Sequence, residues 1–318
     1  MAERNRGGSV VVGHDGSAHS DAALTQGLLL AEAFGATLLV IRAWPLEVQT
    51  PGSTSILAPP TSVADLTASA RADLIRGCEP IVRAHPTVAV SFQATVGAPA
   101  DVLTSLSRNE RLLVVGSRGL GGLTGLLLGS VADRCLHQAS CPVLIVRPEH
   151  EDATPPSTDE DGDRSKDSPR LMPGSVVVGH DGSISGMHAV AIAFEYAEAL
   201  HAPLAVVRCW NSDHMPPGLL WRDGYVASFD EAFATIEQHL HTTVAPTAAA
   251  HPDVESTYYG PYGDAAETLV RVAKHAALLV LGSRGRGGFS SLLLGSVSTQ
   301  CAHRAACPTL VVPQHTPV

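Results

Sequence analysis

The chain is short of lysine and cysteine and has no long apolar run, and each shortage removes a class of protein. Among 21 basic residues only Lys166 and Lys274 are lysine, so there is no Gly-x-x-x-x-Gly-Lys-Ser/Thr loop in which a lysine meets nucleotide phosphates. Against them stand 31 acidic residues, a net charge of −10, which removes the basic face that a phosphate-backbone reader needs; no nucleic-acid partner is expected. The most apolar stretch, residues 27–41, carries Glu32 and falls short of the roughly 20 residues a bilayer span requires, so no membrane partner is expected either. Residues 1–8 show no apolar leader or small-residue cleavage site, and the expected location is cytoplasmic. Six cysteines are too few and too scattered for a disulfide framework. Cys135-x-His137-x₃-Cys141 recurs as Cys301, His303 and Cys307, but it lacks the paired-cysteine spacing of a zinc site, and buried free thiols are the simpler reading.

What is present is two domains' worth of ordinary globular chain: 318 residues, 45% apolar and 16% charged. The chain also repeats itself at a constant offset of 166 residues. Val10-Val-Val-Gly-His-Asp-Gly-Ser17 returns as Val176 to Ser183, Trp44 as Trp210, and His85-Pro86 as His251-Pro252. Residues 112–142 match 278–308 at 20 of 31 positions. The period is too long for a solenoid unit, so each copy should own a complete core. The division expected is 1–147, a linker at 148–173, and 174–318. The linker holds eight acidic and three basic residues among prolines, so it carries half of the net −10 and reads as a solvated tether.

Each copy alternates strand and helix. In the first, strands are expected at 9–13, 37–43, 88–96, 112–116 and 142–146, with helices at 20–34, 64–84, 100–107 and 130–139. Ser130 followed by Asp133 resembles a capping box. The expected fold class is α/β, two homologous doubly wound domains with right-handed crossovers, which bind ligands beyond the carboxyl ends of the strands.

The unusual residues lie in the loops at those ends. Strand one runs into Gly13-His14-Asp15-Gly16-Ser17, and strand four into Gly116-Ser117-Arg118-Gly119 and a glycine-rich loop that ends at Gly129-Ser130. Glycines let backbone N–H groups approach a ligand, and a following helix N-terminus favours an anion. Together they describe a phosphate cradle, repeated at Gly282, Arg284, Gly285, Gly295 and Ser296. A tight turn needs glycine too, and Asp15 and Asp181 also suit a turn in which aspartate accepts its own backbone N–H two residues on. Arg118 and Arg284 are the cations at hand for phosphate, with Asp15 and Asp181 as carriers of a divalent metal.

The pattern Gly-x₂-Gly-x₉-Gly-Ser, at Gly116 and again at Gly282, is similar to the nucleotide-binding motif of universal stress proteins, and the first and last strands of both copies look like that family's. The resemblance implies five parallel strands per domain in the order 3-2-1-4-5, and ATP, with Mg, beside strands one and four. It places Gly13 and Asp15 near ribose or metal, Ala43 and Val115 near adenine, Gly116, Arg118 and Gly119 near ribose and phosphates, and Gly129, Ser130 and Val131 at the phosphates. The second set is Gly179, Asp181, Cys209, Leu281, Gly282, Arg284, Gly285, Gly295, Ser296 and Val297. Some members carry proline where Gly13 and Gly179 stand, and others histidine at Arg118 and Arg284, which puts the departures at the ribose rather than at the phosphates. The family also pairs domains through the last strand, which implies that 142–146 and 308–312 meet within the chain, or that a homodimer forms.

The function expected is an ATP-binding regulator of the stress response, acting on an unidentified protein partner through differential affinity for two states. The rival is a slow ATPase or phosphotransferase with His14 or His180 as base, though no residue stands out to position a nucleophile. A dinucleotide or flavin domain is disfavoured, because the first turn is not G-x-G-x-x-G. The loops after Trp44 and Trp210 differ most between copies, and Trp221, Tyr225 and Phe229 suit either core packing or the rim of a site.

Overall fold

A computed structural model describes residues 8–45, 62–120, 128–148, 171–211, 221–222, 225–226, 228–285 and 294–314. Most of the acidic linker, the middles of both long loops and the glycine-rich stretches 121–127 and 286–293 lie outside the described residues, as do the side chains of Trp221, Tyr225 and Phe229. The chain divides into two compact units, Met1–Pro148 and Glu149–Val318.

In the first unit, strands β1 (Val10–Gly13), β2 (Leu38–Trp44), β3 (Val90–Val96), β4 (Leu112–Gly116) and β5 (Val143–Val146) lie in the order β3-β2-β1-β4-β5. All four pairings are parallel, with Val12 opposite Val40 on one side and Val114 on the other. Helices α1 (Ala18–Phe34) and α2 (Val63–Val82) precede β2 and β3, and α3 (Pro99–Leu106) and α4 (Ser130–Gln138) precede β4 and β5. Val10, Val11 and Val12 are wholly buried because both faces of the sheet are covered. A methyl group on Gly27 of α1 would touch Val12 at 2.7 Å, and one on Gly13 would touch Leu103 of α3 at 2.8 Å. Helix and strand therefore meet where a side chain is missing.

Caps set the helix limits. Ser17 accepts the N–H of Ser20, which starts α1 two residues earlier than the apolar spacing indicates, and Gly35 closes it in the left-handed conformation (φ 59°). Ser62 and Asp65 form a reciprocal capping box on α2. The box expected at Ser130 and Asp133 does not form. Gly129 is the N-cap of α4 and no side chain caps it, because the Gly129 N–H is held by the Ser117 carbonyl at 2.7 Å and the turn is set one residue earlier.

The second unit repeats the plan. Strands β6 (Val176–Gly179), β7 (Leu204–Val207), β10 (Ser256–Tyr259), β11 (Leu278–Gly282) and β12 (Thr309–Val312) lie in the order β10-β7-β6-β11-β12, all parallel. They alternate with α5 (Ile184–Ala199), α6 (Phe229–Ala249), α7 (Ala265–Val272) and α8 (Ser296–Arg304). A short antiparallel pair, β8 (Trp221–Arg222) and β9 (Tyr225–Val226), is added between β7 and α6. Trp210 is buried between the rings of Phe233 and Tyr262, and its Nε1–H donates to the Gly260 carbonyl at 2.7 Å. Among the described residues no helix is long and apolar enough to cross a membrane.

Candidate functional site

The carboxyl ends of β1 and β4 are neighbours, and Ser117 ties the loops that leave them. Its N–H donates to Val146 at 2.7 Å, its carbonyl accepts from Gly129, and its hydroxyl meets Nδ1 of His19 at 3.0 Å. The start of α4 is thereby fixed beside the end of β4. The N–H groups of Ser130, Val131 and Ala132 in the first turn have no acceptor within the helix, and the N-cap, being glycine, has no side chain to supply one. Such a turn accommodates an anion, since unpaired N–H groups and the positive end of the helix dipole act together. The Ser130 hydroxyl is exposed beside it and Val131 is half-buried.

Asp15 joins the two loops. Its Oδ1 accepts the Ser17 N–H at 3.0 Å, which is the turn that aspartate before glycine was expected to make, and its Oδ2 accepts the Leu120 N–H at 2.9 Å. Gly16 takes a positive φ of 94° to complete the turn. Desolvation between the loops opposes ionisation of Asp15, but the hydrogen bonds from Ser17, Leu120 and Ser20 outweigh it and hold the carboxyl below its usual range. An ionised carboxylate next to an anion cradle fits a phosphate-bound divalent cation, which takes one or two protein carboxylates and keeps water for the rest.

The glycines of the motif have separate reasons to be glycine. At Gly119 a methyl group would run into the Asp15 carboxylate. At Gly116 it would lie 2.7 Å from the carbonyl of His19, so this residue lets the first turn of α1 press on β4. Gly13 faces Leu103 and Val115, in the layer that α3 covers. Ala43, two residues beyond the partner of Gly13 on β2, shares that side by strand alternation, so Gly13, Ala43 and Val115 form one wall below the cradle. Arg118 is exposed at its rim.

The second unit brings the corresponding residues together. Gly179 faces Leu281 and Leu269, and Cys209, Leu281 and Val297 pack in one cluster. Burial pushes the Cys209 thiol up to about 12. Asp181 accepts the Ser183 N–H at 2.9 Å, and a methyl group on Gly285 would lie 2.6 Å from its carboxylate. Gly282 faces the Ser185 backbone at 2.7 Å, and Gly295 caps α8 with its N–H on Ser283. The N–H groups of Ser296 and Val297 begin α8 as those of Ser130 and Val131 begin α4. Arg284 is half-buried, and its guanidinium donates to Gln314 Oε1 at 3.2 Å.

His14 does not stand in the cradle. It is 5% exposed, and its Nε2 lies 2.9 Å from Asp21 Oδ1 on α1. Burial lowers its pKa against the opposing pull of Asp21. His180 is 3% exposed, and neither ring nitrogen has a hydrogen-bond partner among the described residues, because Met187 takes the place of Asp21. Burial lowers its pKa too, opposed chiefly by Asp181. The residue that the spacing did not reveal is His19, which reaches Ser117 although Ser185 replaces it in the second copy. Cys135 and Cys141 are buried free thiols, as are Cys301 and Cys307, and among the described residues no group of three or more His, Cys, Asp or Glu could hold a metal ion.

A parallel doubly wound sheet with an uncapped helix start beyond strands one and four, present twice, defines a tandem protein of the doubly wound α/β class. The sequence profile of the universal stress protein family matches residues 8–147 and 172–313, and the chain belongs to that family. A universal stress protein of Mycobacterium tuberculosis is 29% identical over 99% of this chain and 100% of its own length. A universal stress protein from Archaeoglobus fulgidus has the same fold, with TM-score 0.60, 18% identity and 96% of each chain covered. A universal stress protein solved in complex with cAMP is 28% identical over 44% of this chain and 97% of its own, with TM-score 0.34.

Proposed function

We propose that each copy, 1–147 and 174–318, binds one ATP, and that the protein is a cytoplasmic regulator of the stress response whose partner equilibria shift with nucleotide occupancy. The observation that carries this reading is the pair of uncapped first turns at α4 and α8, each clamped beside the end of its fourth strand through a serine carbonyl. Ser130, Val131 and Gly129, with Ser296, Val297 and Gly295, would hold the phosphates through N–H groups and hydroxyls. Arg118 and Arg284 would add positive charge at the rim. Asp15 and Asp181 would carry Mg, which supplies charge neutralisation to the phosphates when bound. Ala43 and Val115, with Cys209 and Leu281, would offer the apolar wall for adenine. In this reading residues 148–173 tether the two domains.

His14 is buried with its Nε2 on Asp21, which does not favour a role as a base toward a phosphate in the cradle. Binding without rapid turnover is therefore the expected behaviour. Calorimetry on the purified chain should give two ATP per chain, with cAMP as the comparison ligand. No heat of binding at millimolar ATP with magnesium would remove the proposal, and ADP release well above one turnover per minute would replace it with an ATPase.

A further inference from the structure

The cradle arginine occurs in both copies, but its surroundings do not repeat. Arg118 is exposed, and among the described residues neither its N–H nor its guanidinium has a hydrogen-bond or ion-pair partner. Arg284 is engaged at both ends: its N–H donates to Ser185 Oγ at 3.4 Å, and its guanidinium donates to Gln314 at 3.2 Å.

Two substitutions between the copies produce this difference. Where the second copy has Ser185, the first has His19, whose ring goes to the Ser117 hydroxyl and leaves the next N–H, that of Arg118, without an acceptor. Where the second copy has Gln314, the first has Pro148, whose side chain can accept nothing. At the first cradle an anion competes with no hydrogen bond of Arg118 among the described residues. At the second it must compete with two existing hydrogen bonds of Arg284, one of which comes from the charged guanidinium and is of the stronger kind.

We propose that the two sites are unequal, and that the first copy takes up the triphosphate about tenfold more tightly than the second. This rests on the nucleotide reading above and adds a consequence to it. The first site fills at low ATP and the second only as ATP rises, so the chain passes through a singly occupied state that two equal sites would populate less. Ser185 and Gln314 are the residues that set the gap, because they hold Arg284 in place before any ligand arrives.

The test is titration of the full chain with ATP and magnesium by calorimetry, for wild type, Arg118→Ala, Arg284→Ala and the double variant Ser185→Ala/Gln314→Ala. The expected wild-type result is two classes of site, about tenfold apart. Arg118→Ala should weaken the tight class about tenfold, and Arg284→Ala should weaken the other by about threefold or less. The double variant should tighten the weaker class severalfold, a gain that misfolding cannot imitate. A single class of two equal sites in wild type overturns the inequality while leaving the nucleotide reading intact. So does a double variant whose weaker site is unchanged. Absence of ATP binding at both sites removes the inequality and the nucleotide reading together.

Discussion

Replacing Gly119 by alanine, with Gly116→Ala as its counterpart, separates the ligand-directed glycine from the architectural one. At Gly116 the added methyl would sit 2.7 Å from the carbonyl carbon and oxygen of His19, both backbone atoms in the first turn of α1. Ordinary contact needs several tenths of an ångström more, so helix and strand must part, and overpacking of this kind costs about 1–3 kcal/mol. Each kcal/mol lowers the melting temperature by roughly 2–4 °C for a domain of about 150 residues. Among the described residues the methyl at Gly119 meets only the end of the Asp15 side chain, which can swing aside by releasing the Leu120 N–H. That loop is exposed, so stability should change by less than about 1 kcal/mol. With the carboxylate displaced and the turn loosened, ATP affinity should fall about tenfold. Scanning calorimetry and ATP titration on the two variants provide the check. An intact melting temperature together with ATP affinity within twofold of wild type in Gly119→Ala would refute the placement of the ligand against Asp15 and this turn.

Acid should destabilise the second unit through His180. Burial holds its pKa below the ordinary value, so the unfolded chain takes up the proton at higher pH than the folded one does. Stability is therefore full above about pH 6.5 and falls as pH drops from there toward the folded pKa. Met187→Asp, which gives His180 the kind of partner that Asp21 is to His14, should shrink the loss in urea midpoint between about pH 7.5 and about pH 5.5; an unchanged loss counts against the buried-histidine explanation. Trp210→Phe should cost about 1–3 kcal/mol, since it strands the Gly260 carbonyl that Nε1 now satisfies. Trp44→Phe should cost less in urea unfolding, because Trp44 Nε1 has no partner to lose among the described residues; equal costs would contradict this.

The fold was legible because its signals are local and occur twice. Val10–Val12 and Leu112–Val115 are continuous apolar runs that only a strand covered on both faces can bury, and each strand expected in the first copy lies within two residues of where the structure has it. The helix at 130–139 starts where expected, but the capping box at Ser130 and Asp133 does not form, because the deciding bond, from the Gly129 N–H to the Ser117 carbonyl, joins residues whose proximity no local pattern encodes. The cradle was legible as a set of glycines but not in their individual reasons. Spacing groups Gly116 with Gly119, whereas the structure sets one against the backbone of α1 and the other against a carboxylate. His19 and Gln314 were invisible for the same reason: each acts on a residue far away in the chain, and neither repeats in the other copy. Repetition marks what the copies share, and only coordinates mark where they diverge.

The central claim is that each copy holds a nucleotide, and a titration of the full chain with ATP and magnesium tests it most directly. The account predicts saturation at two ATP per chain, and a chain that takes up no ATP at millimolar concentration would contradict it.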